Sequence, residues 1–87
     1  MSTTVTTTNL FSVKELGKAV REARAAMKLR QAEAALLCGV GVRFLSDLER
    51  GKETVRMGPV LKVIQGLGLA LTLGPKRPFW SQDGGRA

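Results

Sequence analysis

The sequence predicts an all-α domain of four to five short helices, followed by one C-terminal strand that must find its partner outside its own chain. Three observations carry this. Apolar residues recur every three or four positions between residues 13 and 67. Capping and stop signals cut that run into short segments. The single stretch with period-two alternation, Leu69 to Leu73, has no second strand near it. A length of 87 residues allows one small domain with little core to spare. Such chains commonly gain stability by pairing with a copy or a partner.

The first helix is expected over about 12–27. Ser12 followed by Glu15 is a capping box, and Val13, Leu16, Val20, Ala23 and Met27 fall on one face. Lys14, Lys18, Arg21, Glu22 and Lys28 cover the rest. Gln31 to Cys38 is a short alanine-rich second helix that Gly39 stops. After the Gly39-Val40-Gly41 turn, Val42 to Glu49 reads as a third helix. Val40, Leu45 and Leu48 are spaced to bury together, and Gly51 ends the helix where positive φ is free of penalty. Met57, Leu61, Ile64 and Leu67 mark a fourth helix, with Pro59 in its first turn and Gly66 and Gly68 closing it. Leu69-Ala70-Leu71-Thr72-Leu73 then alternates as a strand. A solitary strand leaves unpaired backbone groups, and the simplest supplier of a neighbour is a second copy across a two-fold axis. The end of the fourth helix, or coil, is the competing reading of this segment.

Four zones result: a flexible N-terminal arm over 1–11 with Leu10-Phe11 as a short anchor, the helical domain over 12–68, the strand over 69–73, and a flexible Pro/Gly-rich tail over 74–87.

Composition narrows the function. Fourteen Lys+Arg against seven Asp+Glu give a net charge of +7, which favours an anionic partner, nucleic acid above all. One cysteine, Cys38, makes no internal disulfide, and the absence of histidine removes the usual Cys/His zinc sites. A Ser-His-Asp or Cys-His nucleophile system lacks its base, so no enzyme is expected, and no catalytic residue, metal or cofactor. No stretch approaches the ~18–20 apolar residues of a membrane span. Met1 to Asn9 lacks the basic and apolar regions of a signal peptide, so a cytoplasmic, nucleoid-associated protein is expected.

Two short helices joined through a glycine-containing turn have the layout of a helix-turn-helix. The stretch from Gln31 to Lys52 resembles that of the Xre/Cro/lambda-repressor superfamily, with Gln31, Ala35, Gly39, Val40, Leu45, Ser46, Leu48, Glu49, Gly51 and Lys52 in register. With the first and fourth helices, the resemblance covers about 12–68. The ending, Gly66 to Leu73, resembles the HipB-like antitoxins, in which such a core is followed by a strand that pairs with its dimer mate. Arg30 and Gly41 stand where Ser or Thr usually caps the second and third helices. Arginine is a poor cap and glycine a fair one. Ala34 replaces a usual leucine. Leu36 and Leu37 fall near the usually polar face, where they either refill the core or mark a partner surface.

The resemblance implies a DNA-binding surface. Arg43, in the first turn of the recognition helix, is the candidate for reading guanine O6 and N7. A phosphate contact or a solvated arginine is the competing reading. Val42 either packs on a thymine methyl or is partly buried under the turn, and Gly41 lets the backbone approach DNA closely. Ser46 and Asp47 lie farther along. Asp47 is expected to hold Arg43 by an i,i+4 ion pair or to accept from cytosine N4. Gln31 matches the family glutamine that touches a phosphate, while Arg30, Arg50, Lys52 and Arg56 are expected to neutralise the DNA backbone. Glu49 is expected to bond Arg24 as a structural ion pair. Phe44 is read as core or dimer contact and Cys38 as a small buried hydrophobe.

Leu69, Leu71, Thr72 and Leu73 are the candidate dimerisation residues. Phe79 and Trp80 are candidate anchors for a partner protein, or else fold back on their own dimer. Together these readings describe a homodimeric repressor of a palindromic operator in double-stranded DNA. It would be the antitoxin of a type II toxin–antitoxin pair, autoregulating its operon and neutralising a HipA-like kinase toxin. The alternatives are a stand-alone operon or phage-type repressor, and an adaptor that no longer reads DNA. An RNA-binding domain ranks below these, since the chain lacks an aromatic base-stacking platform.

Overall fold

The computed structural model describes residue 10 and residues 12–73. The rest of the N-terminal arm and the 74–87 tail, with Phe79 and Trp80, lie outside the described residues. Four helices follow in order: α1 (Val13–Ala26), α2 (Gln31–Cys38), α3 (Val42–Glu49) and α4 (Met57–Gly66). Ser12 caps α1 as its sequence suggests, its hydroxyl accepting from the Glu15 N–H at 3.2 Å. Val20 is fully buried, and Val13, Leu16 and Ala23 pack against the core. Met27 sits at the C-cap and is exposed, so the apolar face of α1 ends one turn earlier than its spacing predicts.

α2 starts without a hydroxyl cap. Arginine has no acceptor, and the end is satisfied from the other side: the Arg30 backbone N–H donates to Glu33 Oε1 at 2.8 Å. Ala34, Ala35 and Cys38 are buried, whereas Leu36 and Leu37 are 84% and 56% exposed and do not refill the core. Gly41 caps α3 with extended backbone. Leu45 and Leu48 are fully buried, with Val40 and Phe44 packed beside them. Gly51 follows α3 with φ +82°, and its α-carbon lies so close to the Lys14 backbone that a side chain would not fit.

In α4 the buried residues are Val60, Val63, Ile64 and, at the C-cap, Leu67. Met57 and Leu61, expected inside, are exposed. The helix is apolar on most sides, so two faces fit its spacing. Packing against α2, where Gly66 lies flush against Cys38, selects between them. The α1–α3 contact depends on Gly17, which is buried. A Cβ there would collide with the Leu48 carbonyl oxygen.

No strand occurs among the described residues. Leu69 continues from α4, its N–H donating to the Ile64 carbonyl at 2.8 Å. Beyond it, Leu71 is 47% and Leu73 96% exposed, and Thr72 is exposed as well.

Candidate nucleic-acid interface

The helix-turn-helix unit is built on one clamp. Glu49, at the end of α3, is buried and turned inward. Arg24 of α1 grips it with two hydrogen bonds, Nε to Oε2 at 2.7 Å and Nη2 to Oε1 at 3.0 Å, and spends Nη1 on the Leu29 carbonyl at 2.8 Å. This is the ion pair the family resemblance implies. Its third member has no counterpart among the expectations: Gln31 Nε2 donates to the same Glu49 Oε1 at 3.0 Å. One carboxylate therefore fixes the start of α2, the end of α3 and the last turn of α1. Burial pushes the Glu49 carboxyl up, but the hydrogen bonds from Arg24 and Gln31 outweigh it and hold the group below the usual carboxylate range. The hydrogen bond to Glu49 raises the Arg24 guanidinium above its ordinary value.

The outward side of α3 carries the candidate DNA-facing groups. Gly41, Val42 and Arg43 are exposed at its N-terminal end, and Ser46 and Asp47 are half-buried. Asp47 does not pair back to Arg43. It accepts from Arg50 Nη2 at 2.6 Å and lies 3.6 Å from Lys52 Nζ. The chain reverses at Gly51 and brings Lys52 back over Asp47, so the forward partners win over the i−4 one. Burial raises the Asp47 carboxyl, but the Arg50 hydrogen bond and the Lys52 charge bring it below its ordinary value. Arg43 is left without an ion pair among the described residues, its guanidinium open to solvent.

Arg30, Lys52 and Arg56 are exposed, and the Arg30 side chain makes only a loose 3.5 Å contact with Glu33. Gln31 is half-buried against Glu49 rather than free. Two contributors escaped the sequence reading. The Gln31 bond to Glu49 leaves no local signature across eighteen positions. Gly17, by contrast, was visible as a glycine inside a helical pattern, which usually has a packing reason. Among the described residues no group of side chains could hold a metal ion, and no helix is long and apolar enough to cross a membrane.

Comparison with known proteins agrees with this geometry. The helix-turn-helix family profile matches residues 20–73. The uncharacterized HTH-type transcriptional regulator y4mF of Sinorhizobium fredii (strain NBRC 101917 / NGR234) is 46% identical over 59 residues, covering 68% of this chain and 78% of the relative. Among solved structures, a HipB-O4 20mer complex and a HipA-HipB-O2-O3 complex each superpose with a TM-score of 0.74 at 22% identity, over 82% of this chain and 100% of theirs. That likeness is one of fold. The inward face of α3, the clamp on Glu49 and the family match agree: the chain belongs to the Xre-type helix-turn-helix family.

Proposed function

We propose that the protein is a sequence-specific, DNA-binding transcriptional repressor that acts as a homodimer on a palindromic operator. We further propose that it is the antitoxin of a type II pair, neutralising a HipA-like toxin and repressing its own operon. The observation that carries the DNA reading is the division of α3. Its inward residues Leu45, Leu48 and Glu49 are buried, while Gly41, Val42 and Arg43 stand exposed at the end that enters a major groove in this architecture. The relative named as a transcriptional regulator and the HipB complexes of the same fold support it.

In this reading Arg43 reads guanine and Val42 a thymine methyl, with Ser46 and Asp47 at the edge of the contact. Arg30, Gln31, Arg50, Lys52 and Arg56 hold phosphates. Asp47 orients Arg50 and Lys52 rather than Arg43. Leu69, Leu71, Thr72 and Leu73 pair with the same segment of a second copy, which gives their exposed leucines a cover. An apolar groove lined by Leu10, Leu16, Ala19, Ile64, Leu69 and Leu71 lies under that segment and supports the same assignment. The HipA-HipB complex of like fold supports a HipA-like protein as partner; Phe79 and Trp80 are the proposed anchor for it.

Selection from a randomised duplex library tests the function. The expected product is an inverted repeat whose half-sites lie one helical turn, about 34 Å, apart. Enrichment of no sequence overturns the repressor reading. Co-expression with a HipA-like kinase tests the antitoxin. A stable complex that weakens on deletion of 75–87 is expected, and no complex favours a stand-alone repressor.

A further inference from the structure

The α1–α3 seam carries a second charged feature, whose basic stripe on α1 the helix-turn-helix does not use. An open cleft of roughly 670 Å³ runs between the polar flank of α1 and the end of α3. Lys14, Lys18, Arg21 and Arg50 supply its cations, and Glu15, Glu22 and Glu49 complete the lining. Lys14, Lys18 and Arg21 stand at i, i+4 and i+7, so they form one stripe along about 10 Å of helix. That length matches about three phosphates of one duplex strand. Glu15 and Glu22 lie about a quarter turn further round the helix. Glu49 is already committed to Arg24 and Gln31. Among the described residues Lys14, Lys18 and Arg21 form no salt bridge, and all three are exposed.

We infer that this cleft is a second phosphodiester-binding site, which takes the duplex backbone flanking the segment held by α3. The inference rests on the DNA-binding reading above. Two features select DNA over a protein partner. No apolar side chain lines the cleft, whereas protein interfaces have an apolar core and DNA interfaces are polar and positive. The cleft is also continuous with the proposed interface, because Arg50 belongs to its wall and to the Asp47–Lys52 cluster at the end of α3. Gly17 makes this possible. Its missing side chain lets α1 lie flush on the Leu48 backbone, which brings the basic stripe level with the end of the recognition helix.

The test is the salt dependence of the full-length protein on a 40-base-pair duplex of random sequence, followed by fluorescence anisotropy. Neutralising the stripe in a Lys14→Gln, Lys18→Gln, Arg21→Gln variant is expected to lower the slope of log K against log salt by about 2–3. Lys18→Gln alone is expected to lower it by about 0.9, the value for one phosphate. Lys62→Gln, an equal loss of charge on exposed α4, is expected to leave it unchanged. Lys52→Gln monitors the α3 surface. If Lys52→Gln lowers the slope and the triple variant matches Lys62→Gln, the cleft is overturned and the α3 reading stands. If neither Lys52→Gln nor the triple variant moves it, both fall together. If the triple variant loses binding to a poly-glutamate peptide but keeps the DNA slope, the cleft belongs to an acidic protein and the inference is wrong. All five altered side chains are exposed, so thermal melts matching the unaltered protein are expected for every variant.

Discussion

Gln31 and Glu49 meet across 3.0 Å, and through them the first residue of α2 is bonded to the last residue of α3. The same carboxylate holds Arg24 from α1. The angle between the two helices of the motif is thus set by a polar contact at its edge as well as by Leu45 and Leu48 in its interior.

Removing Glu49 breaks that arrangement. Glu49→Ala is expected to cost about 3–5 kcal/mol, because Arg24 is left without its charge partner in a poorly hydrated place. Chemical denaturation measures this directly. DNA binding should fall with the loss of fold, since Glu49 is buried and bonded inward to Arg24 and Gln31.

The clamp also sets an acid limit. Glu49 has a carboxyl held below its unfolded value, so its stabilisation is fully present above the unfolded carboxylate range, near pH 4.3. It is lost as pH falls through the lower, folded value. Denaturation midpoints are expected to be flat from pH 7 to about pH 5 and to drop below that. Glu49→Gln should start lower and show a shallower acid drop; an unaltered acid drop would remove Glu49 as its source.

Gly17→Ala is expected to destabilise by about 1–3 kcal/mol, the usual range for overpacking, since the added methyl meets the Leu48 carbonyl. A thermal melt of Gly17→Ala beside Ala25→Gly, an exposed helix position, separates crowding from helix propensity. A gain at Gly17→Ala that mirrors the loss at Ala25→Gly would mean that α1 moves away freely, leaving only helix propensity.

Arg43→Ala is expected to relax preference at a single base position by about 1–3 kcal/mol while leaving non-specific affinity nearly intact. Selection profiles of the two proteins give the comparison. An identical profile leaves Arg43 as a phosphate contact or a solvated side chain and removes it as a base reader.

Thr72→Pro is expected to weaken self-association, because proline removes a strand donor. Sedimentation at several concentrations reads this. An undisturbed dimer would locate the interface elsewhere.

The elements were legible where local chemistry decides them. Ser12, Gly39, Gly51 and Pro59 punctuate the chain at the positions the structure uses. The face of α4 was not legible, because Met57 and Leu61 compete with Val60 and Val63 for the same inward direction and only the neighbouring helix chooses. In the site, Arg24 and Glu49 follow from the family pattern. Asp47 departs from the i,i+4 expectation because Arg50, at i+3 on the C-cap, competes for it and the turn at Gly51 brings Lys52 back as a second cation. Leu36 and Leu37 left two readings open, and their exposure closes one of them.

Within α3, Leu45, Leu48 and Glu49 are sealed away, Phe44, Ser46 and Asp47 lie half-buried between, and Val42 and Arg43 hang on nothing but their own backbone. A change of letter at position 42 or 43 therefore leaves untouched what keeps the chain folded. On the proposed reading such a scaffold would be suited to retargeting, each single substitution being tolerated before it is useful.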